Sequence, residues 1–203
     1  VRTLSEAVES RQEIINPYVI GIPLSEHQEI FVGRSDISER IERLLLDARC
    51  PPLLLYGQRR TGKTSLLNNL GKLLPWQIIP LFVDLQGPTS LAKDYAGFLY
   101  NISRTMLTSA KRHRELKLPT LTREHVKLDP FISFDEWLDD IEQHLDPNQT
   151  LLLILDEFSA LEHVFKKGLL DEESVLGMFR HIIQHRPRIK ILLSGSHTLD
   201  EFE

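Results

Sequence analysis

The first indication of the fold of this chain is the stretch LLLYGQRRTGKTSLL, residues 53–67. It opens with a short apolar run, Leu53 to Tyr56, which is typical of a β-strand buried on both faces. A helical segment from Lys63 to Leu73 follows. Between the two, Gly57 to Thr64 matches the pattern G-x-x-x-x-G-K-[ST] at every fixed position. Strand, loop and helix in this order predict a phosphate-binding site, and we call Gly57–Thr64 the phosphate loop.

Each fixed position of the phosphate loop has a chemical reason. Glycines let the backbone curl until successive N–H groups point at one anion, and the following helix directs its positive end to the same place. We expect Lys63 to reach the β- and γ-phosphates of a nucleoside triphosphate and the Thr64 hydroxyl to ligate Mg²⁺. Arg59 and Arg60 are outside this code and either face the triphosphate or point into solvent, the simpler interpretation. The residues expected to contact the nucleotide here are Gly57, Gln58, Arg59, Arg60, Thr61, Gly62, Lys63, Thr64 and Ser65.

A second motif, LLLILDEF (residues 151–158), places two carboxylates after an apolar strand. Such a strand delivers Asp156 and Glu157 to the carboxyl edge of a parallel sheet, where the ligands of open α/β sheets bind. We expect Asp156 to hold Mg²⁺ through its water shell and Glu157 to polarise the attacking water. An acid after a strand is also common as a helix cap, so this assignment depends on the phosphate loop upstream.

Composition argues against several other classes of protein. The 203 residues are 41% hydrophobic and 26% charged, as in a globular domain with a hydrophobic core. A net charge of -5 argues against a protein that coats nucleic acid through bulk charge, although a local patch stays open. The single cysteine, Cys50, favours a reducing compartment. Because the sequence has neither a long apolar run nor a signal-peptide pattern, we expect a cytoplasmic location and no membrane contact.

Buried strands alternate with amphipathic helices along the chain, which predicts an α/β fold with a parallel sheet. Apolar runs predict further strands at 78–87, 151–155 and 190–194, and helical periodicity predicts helices near 36–47, 91–106 and 175–183. Residues 111–130 are polar, basic and without periodicity, so we expect a surface connection. Ser133 and Glu136 have the spacing of a capping box and predict the start of another helix.

Together these motifs resemble a known family. YGQRRTGKTSLL is similar to the Walker A motif of P-loop ATPases, and LLLILDEF is similar to a Walker B motif with an added catalytic glutamate. FVGR (residues 31–34) resembles the h-h-G-R element of AAA+ and STAND ATPases, and ILLSGS (residues 191–196) occupies the place of their sensor 1 strand. Over roughly residues 16–196 the chain is most similar to archaeal- and bacterial-type STAND ATPases, relatives of the origin-recognition ATPases.

The resemblance implies a P-loop NTPase core with an additional strand and a catalytic glutamate, in which the strand order is 5-1-4-3-2. Since the chain stops before a fifth strand and a lid, we expect the order 1-4-3-2 with Leu53–Tyr56 at an edge, in a piece of a longer protein. We expect residues 1–35 to form an extended segment with the adenine-side element and residues 36–203 to form the truncated core. Val32 and Gly33 would lie near the adenine. Ser196, preferred over Ser194, would be the sensor 1 residue and act with Glu157 and Lys63 in catalysis.

Three further groups of residues have a simpler interpretation than a functional one. Arg186 and Arg188 are candidates for an arginine finger, but solvated charge is the simpler explanation. His181 and His185 are spaced like a metal pair but lack the glutamate of H-E-x-x-H, so a polar helix face is favoured. The basic cluster at residues 111–114 could touch nucleic acid, but a solvated helix end is favoured.

Two functions fit these observations. The first is a module that binds ATP with Mg²⁺, hydrolyses it, and drives or switches attached domains. The second is a nucleotide-dependent scaffold for protein or DNA partners that does not hydrolyse ATP. We expect protein partners or self-association through regions outside this chain, while nothing in the sequence says what the ATPase would act on.

Overall fold

The computed structural model describes residues 23–24, 35–47 and 50–195. The described elements follow one another in the order α1 (Ser35–Leu45), β1 (Leu53–Tyr56), α2 (Lys63–Leu73), β2 (Ile78–Asp84), a 3₁₀ turn (Pro88–Leu91), α3 (Tyr95–Arg114), α4 (Arg123–Leu128), α5 (Pro130–Gln143), β3 (Thr150–Asp156), α6 (Ala160–Lys166), α7 (Glu172–His185) and β4 (Ile189–Gly195). Val32, Gly33, Ser196 and most of the expected N-terminal segment lie outside the described residues.

The four described strands form one parallel sheet in the order β1-β4-β3-β2. This is the α/β fold and the order 1-4-3-2 that the sequence predicts, with Leu53–Tyr56 at an edge. Parallel pairing requires a crossover between consecutive strands, and the helices supply it. The carboxyl ends of β1, β3 and β4 therefore meet at one edge of the sheet, next to the start of α2.

Helices cover both faces of the sheet and divide the core in two. On one face α1 and α2 pack through Ile41, Leu66, Leu67 and Leu70 against Leu152, Ile154 and Leu192. On the other face α3, α5 and α7 contribute Phe98, Phe134, Trp137 and Phe179 to a larger cluster with alternate residues of β2, β3 and β4. β3 is buried along almost its whole length because it lies inside the sheet and both of its faces are covered.

β1 is buried on one face only, which corrects the prediction of burial on both. Leu53 is 8% exposed, whereas Leu54 and Tyr56 are 44% and 54% exposed. Successive strand residues point to opposite faces. Leu54 and Tyr56 therefore share the face on which none of the described elements covers this edge strand.

The prediction of a surface connection at residues 111–130 is wrong. α3 extends to Arg114, and Leu118, Leu121 and Val126 of the following segment are buried in the larger core. The guanidinium of Arg114 turns inward and donates to the carbonyls of Gly71 (2.6 Å), Leu74 (3.1 Å) and Ile78 (2.8 Å). Burial lowers the pKa of Arg114. A guanidinium has five donors, so one side chain can satisfy several carbonyls at the end of α2 and the start of β2.

The N-cap of α5 lies four residues earlier than the capping box predicts. Asp129 is its cap and accepts a hydrogen bond from the backbone N–H of Ile132 (3.3 Å), with Pro130 as the first helical residue. Ser133 is buried inside the helix, and its hydroxyl donates to the carbonyl of His125 (3.1 Å). None of the described helices has the length and apolar character needed to cross a bilayer.

Candidate functional site

The phosphate loop curls around the ammonium group of Lys63. Lys63 is only 8% exposed, and its Nζ donates to the carbonyls of Gly57 (2.7 Å) and Gln58 (3.1 Å). Arg60 (φ 65°) and Gly62 (φ 85°) both adopt the left-handed backbone conformation, which bends the chain into α2. An ammonium group has three donors, so it can bind an anion as well as these two carbonyls. This places a buried cation at the start of a helix, as phosphate binding requires.

Asp156 at the end of β3 is joined to two other elements by hydroxyl groups. Thr64 Oγ1, in the first turn of α2, donates to Asp156 Oδ2 at 2.8 Å. Ser194 on β4 donates to Asp156 Oδ1. Asp156 is 2% exposed and Ser194 is fully buried. The sequence-predicted metal pair, Thr64 and Asp156, is thus brought together from positions 92 residues apart.

The surroundings of Asp156 fit a divalent cation. Within the described part of the chain Asp156 accepts hydrogen bonds from two neutral hydroxyls, and no ion pair joins it. A buried carboxylate is costly unless its charge is compensated. Carboxylate and hydroxyl oxygens are the ligands that Mg²⁺ prefers. Thr64 and Asp156 are therefore the residues that could hold the metal of a nucleotide complex.

Glu157 turns away from the sheet directly after Asp156. On one side the carbonyl of Asp156 accepts a hydrogen bond from Leu85 N–H (3.0 Å), and on the other Phe158 N–H donates to the carbonyl of Ser194 (2.8 Å). Between these two bonds Glu157 has φ 54°, an uncommon conformation for a residue with a side chain. Its side chain is half-buried at the same sheet edge as Asp156.

The remaining loop residues lie at the rim of this site. Arg59 and Arg60 are exposed, in keeping with the solvated interpretation, and the Thr61 hydroxyl donates to the carbonyl of Gln58 (2.8 Å). The Ser65 hydroxyl accepts a hydrogen bond from Leu24 N–H (3.0 Å), which ties the segment before α1 to the start of α2. Ser65 could still use its backbone N–H toward a phosphate.

Two residues at the carboxyl edge of the sheet are not among the site residues predicted from the sequence. Ser194 is the hydroxyl that contacts Asp156, whereas the preferred Ser196 lies outside the described residues. Asp84, at the end of β2, is paired in register with Asp156 and leaves its side chain exposed. The segment VDLQ, an acid directly after an apolar strand, carries the same signal as LDEF and could have indicated Asp84.

Arg186 and Arg188 are engaged with other elements of the domain, which corrects the interpretation of solvated charge. Arg186 is 6% exposed and binds Asp135, Asp139 and Glu142 of α5 at 2.7–2.8 Å. Burial alone would lower the pKa of Arg186, but hydrogen bonds from the guanidinium to Asp139 and Asp135 outweigh it and the pKa is raised. Arg188 donates to the carbonyl of Glu142 in α5 and to the carbonyl of Gln149, the residue before β3.

His181 and His185 form the polar helix face that the sequence favours. The centres of their rings are 4.6 Å apart, and His181 Nε2 lies 3.7 Å from Asp135 Oδ1. Among the described residues there is no group of three or more metal-ligating side chains around them or elsewhere.

Comparison with known protein families agrees with this geometry. The sequence model of the family described as "AAA domain" matches residues 47–202. The chain belongs to this AAA domain family. The matched residues include the phosphate loop and all four described strands, so the parallel sheet is the P-loop NTPase core of an AAA-type ATPase domain. No protein of curated function matches the chain.

Two solved structures are similar to this AAA domain. The Walker-type ATPase PABY2304 of Pyrococcus abyssi matches with a TM-score of 0.61 and 20% identity over 87% of this chain. The ORC2 protein of Aeropyrum pernix, solved as ADPNP–ADP complexes, matches with a TM-score of 0.48 and 22% identity over 89% of this chain. The chain spans 48% of the first protein and 44% of the second, about half of each.

Proposed function

We propose that this AAA domain binds ATP together with Mg²⁺ and hydrolyses it. The observation that carries the proposal is the hydrogen bond of 2.8 Å between Thr64 Oγ1 and Asp156 Oδ2. It joins the phosphate loop to the end of β3 and puts two oxygen ligands beside a buried ammonium group. A chance match to the loop pattern in a surface turn would have no reason to meet a buried carboxylate.

Binding divides between the loop and the sheet edge. Lys63 supplies a positive charge to the β- and γ-phosphates, and the N–H groups at the start of α2 face the same anion. Thr64 and Asp156 would hold Mg²⁺, which when bound offsets the charge on the phosphate oxygens. Ser194 keeps the carboxylate of Asp156 in place through its second oxygen.

Hydrolysis is assigned to Glu157. Its carboxylate would accept a proton from a water molecule as that water attacks the γ-phosphorus. The bond from the γ-phosphorus to the β–γ bridging oxygen would break, ADP would leave, and Lys63 would stabilise the charge on the phosphate oxygens. The unusual backbone of Glu157 supports this role because strained conformations concentrate at functional sites. Val32 and Gly33 remain predicted contacts of the nucleotide, and Ser196 remains the predicted sensor 1 residue.

We further propose that hydrolysis switches attached domains, as in the STAND-type ATPases that the motifs resemble. One contact supports a conformational link: Phe158, next to Glu157, packs against Phe179 of α7 with ring centres 6.1 Å apart. A conformational change at Glu157 would therefore be transmitted to α7, which lies on the outside of the sheet. The partners would be proteins or further copies of the same chain, and nucleic acid stays open as a partner.

Titration calorimetry tests nucleotide binding. We expect Lys63→Ala to lose about 1.5–3 kcal/mol of ATP affinity in the presence of Mg²⁺, about 10- to 150-fold, because a charge-assisted contact is removed. Lys127→Ala, an exposed lysine on α4, is the matched control and should bind as the wild type does. Equal affinities for Lys63→Ala and wild type would overturn the assignment.

Phosphate release separates hydrolysis from the alternative of a nucleotide-dependent scaffold. Wild-type protein that binds ATP and releases phosphate, alone or with added partners, is an ATPase. Tight binding of ATP with no release under any of these conditions would favour the scaffold.

A further inference from the structure

A groove lies between α5 and α7, on the outer side of the larger core. It has a volume of about 470 Å³ and is lined by Phe131, Ile132 and Leu138 of α5 and by Gly177, Met178 and Ile182 of α7. Ile132 is 57% exposed although it is a large apolar residue. Concave apolar surfaces of this size mark binding sites more often than plain solvent-facing surface.

Gly177 keeps the floor of the groove open. It lies inside α7, where glycine destabilises the helix relative to alanine. A Cβ atom added to Gly177 would meet nothing within 4 Å, so contacts with the described neighbours would allow a larger residue at this position. The missing side chain has no packing reason in this structure and leaves space for a group from outside.

The wall formed by α5 is strongly acidic. The helix carries five carboxylates and no lysine or arginine, and one of them, Glu136, lines the groove with 62% of its side chain exposed. Arg186 pairs with three of the others, Asp135, Asp139 and Glu142. One guanidinium cannot neutralise three carboxylates, so a net negative charge remains on α5. At the groove itself the carboxylates are Asp135 and Glu136, which also lie near His181 (3.7 Å) and His125 (3.9 Å) respectively. Such a surface repels nucleic acid and anionic membranes and attracts cationic groups.

We propose that this groove binds an amphipathic, cationic helix of a protein partner. The apolar side chains of the partner would enter between α5 and α7, above Gly177, and its lysine or arginine side chains would face Glu136 and the other carboxylates of α5. Binding of an amphipathic helix in an apolar groove is a recurrent mode of recognition, and charge at the rim selects the partner. This site does not depend on the proposed nucleotide chemistry.

The probe is a fluorescein-labelled helical peptide of 18 residues, about five turns, with leucine along one face and lysine elsewhere. A second peptide has glutamate in place of every lysine. Fluorescence anisotropy with the 203-residue chain should show binding of the lysine peptide and binding at least tenfold weaker for the glutamate peptide. Equal binding of the two peptides, or no binding of the lysine peptide, would overturn the proposal.

Gly177→Leu fills the floor of the groove without a clash, since its Cβ points into open space. We expect it to weaken binding of the lysine peptide at least tenfold, while Gln184→Leu, an exposed position of the same helix outside the groove, leaves binding unchanged. Glu136→Gln should weaken binding about two- to fivefold and Glu173→Gln, exposed and outside the groove, should not. Wild-type affinity in Gly177→Leu would show that the peptide binds the acidic surface at large, which contradicts the proposal.

Hydrogen exchange on the wild-type chain gives an answer that needs no variant. The bound lysine peptide should slow the exchange of amides in Pro130–Gln143 and Glu172–His185. Protection confined to other elements would place the peptide elsewhere and overturn the groove as its site.

Discussion

Charged side chains are buried at both ends of the sheet. The two ends differ in how far the protein itself supplies hydrogen-bond partners and opposite charges for these side chains. At the amino ends of β2, β3 and β4, Arg114, Arg186 and Arg188 are engaged with carbonyls or carboxylates of neighbouring elements. At the carboxyl ends, Lys63 binds two carbonyls and Asp156 accepts from two neutral hydroxyls. The first end, which we call the closed end, is held by hydrogen bonds and ion pairs within the protein, with Arg114 Nε left without a partner among the described residues. The second, the open end, keeps capacity for a ligand.

This difference explains why burial of charge alone does not identify a functional site. Arg186 was a candidate for catalysis because it is an arginine near a strand end, but its donors are satisfied by three carboxylates of one helix. Lys63 and Asp156 are buried with opposite charges and, among the described residues, neither of them forms an ion pair. A cation and a carboxylate held apart in this way are suited to a ligand that carries both phosphates and a metal ion.

The largest effect is expected at the open end, at Glu157. Glu157→Gln keeps the size of the side chain and its hydrogen bonds to water but cannot accept a proton. We expect ATP to bind as in the wild type and the rate of phosphate release to fall about 100- to 10,000-fold. Single-turnover measurements on the full-length protein check this. Wild-type turnover by Glu157→Gln would mean that Glu157 only shapes the end of β3 and that the base lies elsewhere.

At the closed end, the expected effect is on stability. Arg186→Met keeps the aliphatic part of the side chain but leaves three carboxylates close together without their cation. We expect a loss of about 2–3 kcal/mol in the free energy of unfolding, less than for a fully buried pair because Asp135 and Asp139 are partly exposed. Urea unfolding measures it, with Arg180→Met as the control, because Arg180 is exposed on α7, the helix that Arg186 follows. A shift in the ATP affinity of folded Arg186→Met would contradict the separation of the two ends.

The open end could be predicted from the sequence much better than the closed end. The phosphate loop and LDEF follow apolar strands directly, so local order along the chain already places Lys63 and Asp156 at one edge of a parallel sheet. The partners of Arg114 and Arg186 are 36 to 51 residues away, and nothing local distinguishes an arginine that turns inward from a solvated one. The prediction that Ser133 caps α5 was wrong for a related reason, because the cap at Asp129 and the buried contact of Ser133 with His125 depend on packing.

A smaller effect is expected at Ser194, which positions the carboxylate of Asp156 at the open end. Ser194→Ala removes the donor to Asp156 Oδ1 and leaves the bond from Thr64 in place. We expect a loss of about 0.5–1.5 kcal/mol in the Mg²⁺-dependent part of ATP binding, about 2- to 12-fold in affinity. Calorimetry with Mg²⁺ and with EDTA separates this part from the rest. Ser194→Thr, which retains the hydroxyl, should restore most of the affinity, and failure to do so would point to a packing defect.

The most direct test of the central claim is the magnesium dependence of ATP affinity in Thr64→Val. This change keeps the shape of the side chain and removes the hydroxyl that meets Asp156 at 2.8 Å. We expect wild-type protein to bind ATP more tightly with Mg²⁺ than with EDTA. Thr64→Val should lose most of this difference, while its affinity in EDTA stays close to that of the wild type. An unchanged magnesium effect in Thr64→Val would contradict the claim that Thr64 and Asp156 form the metal site of an ATPase.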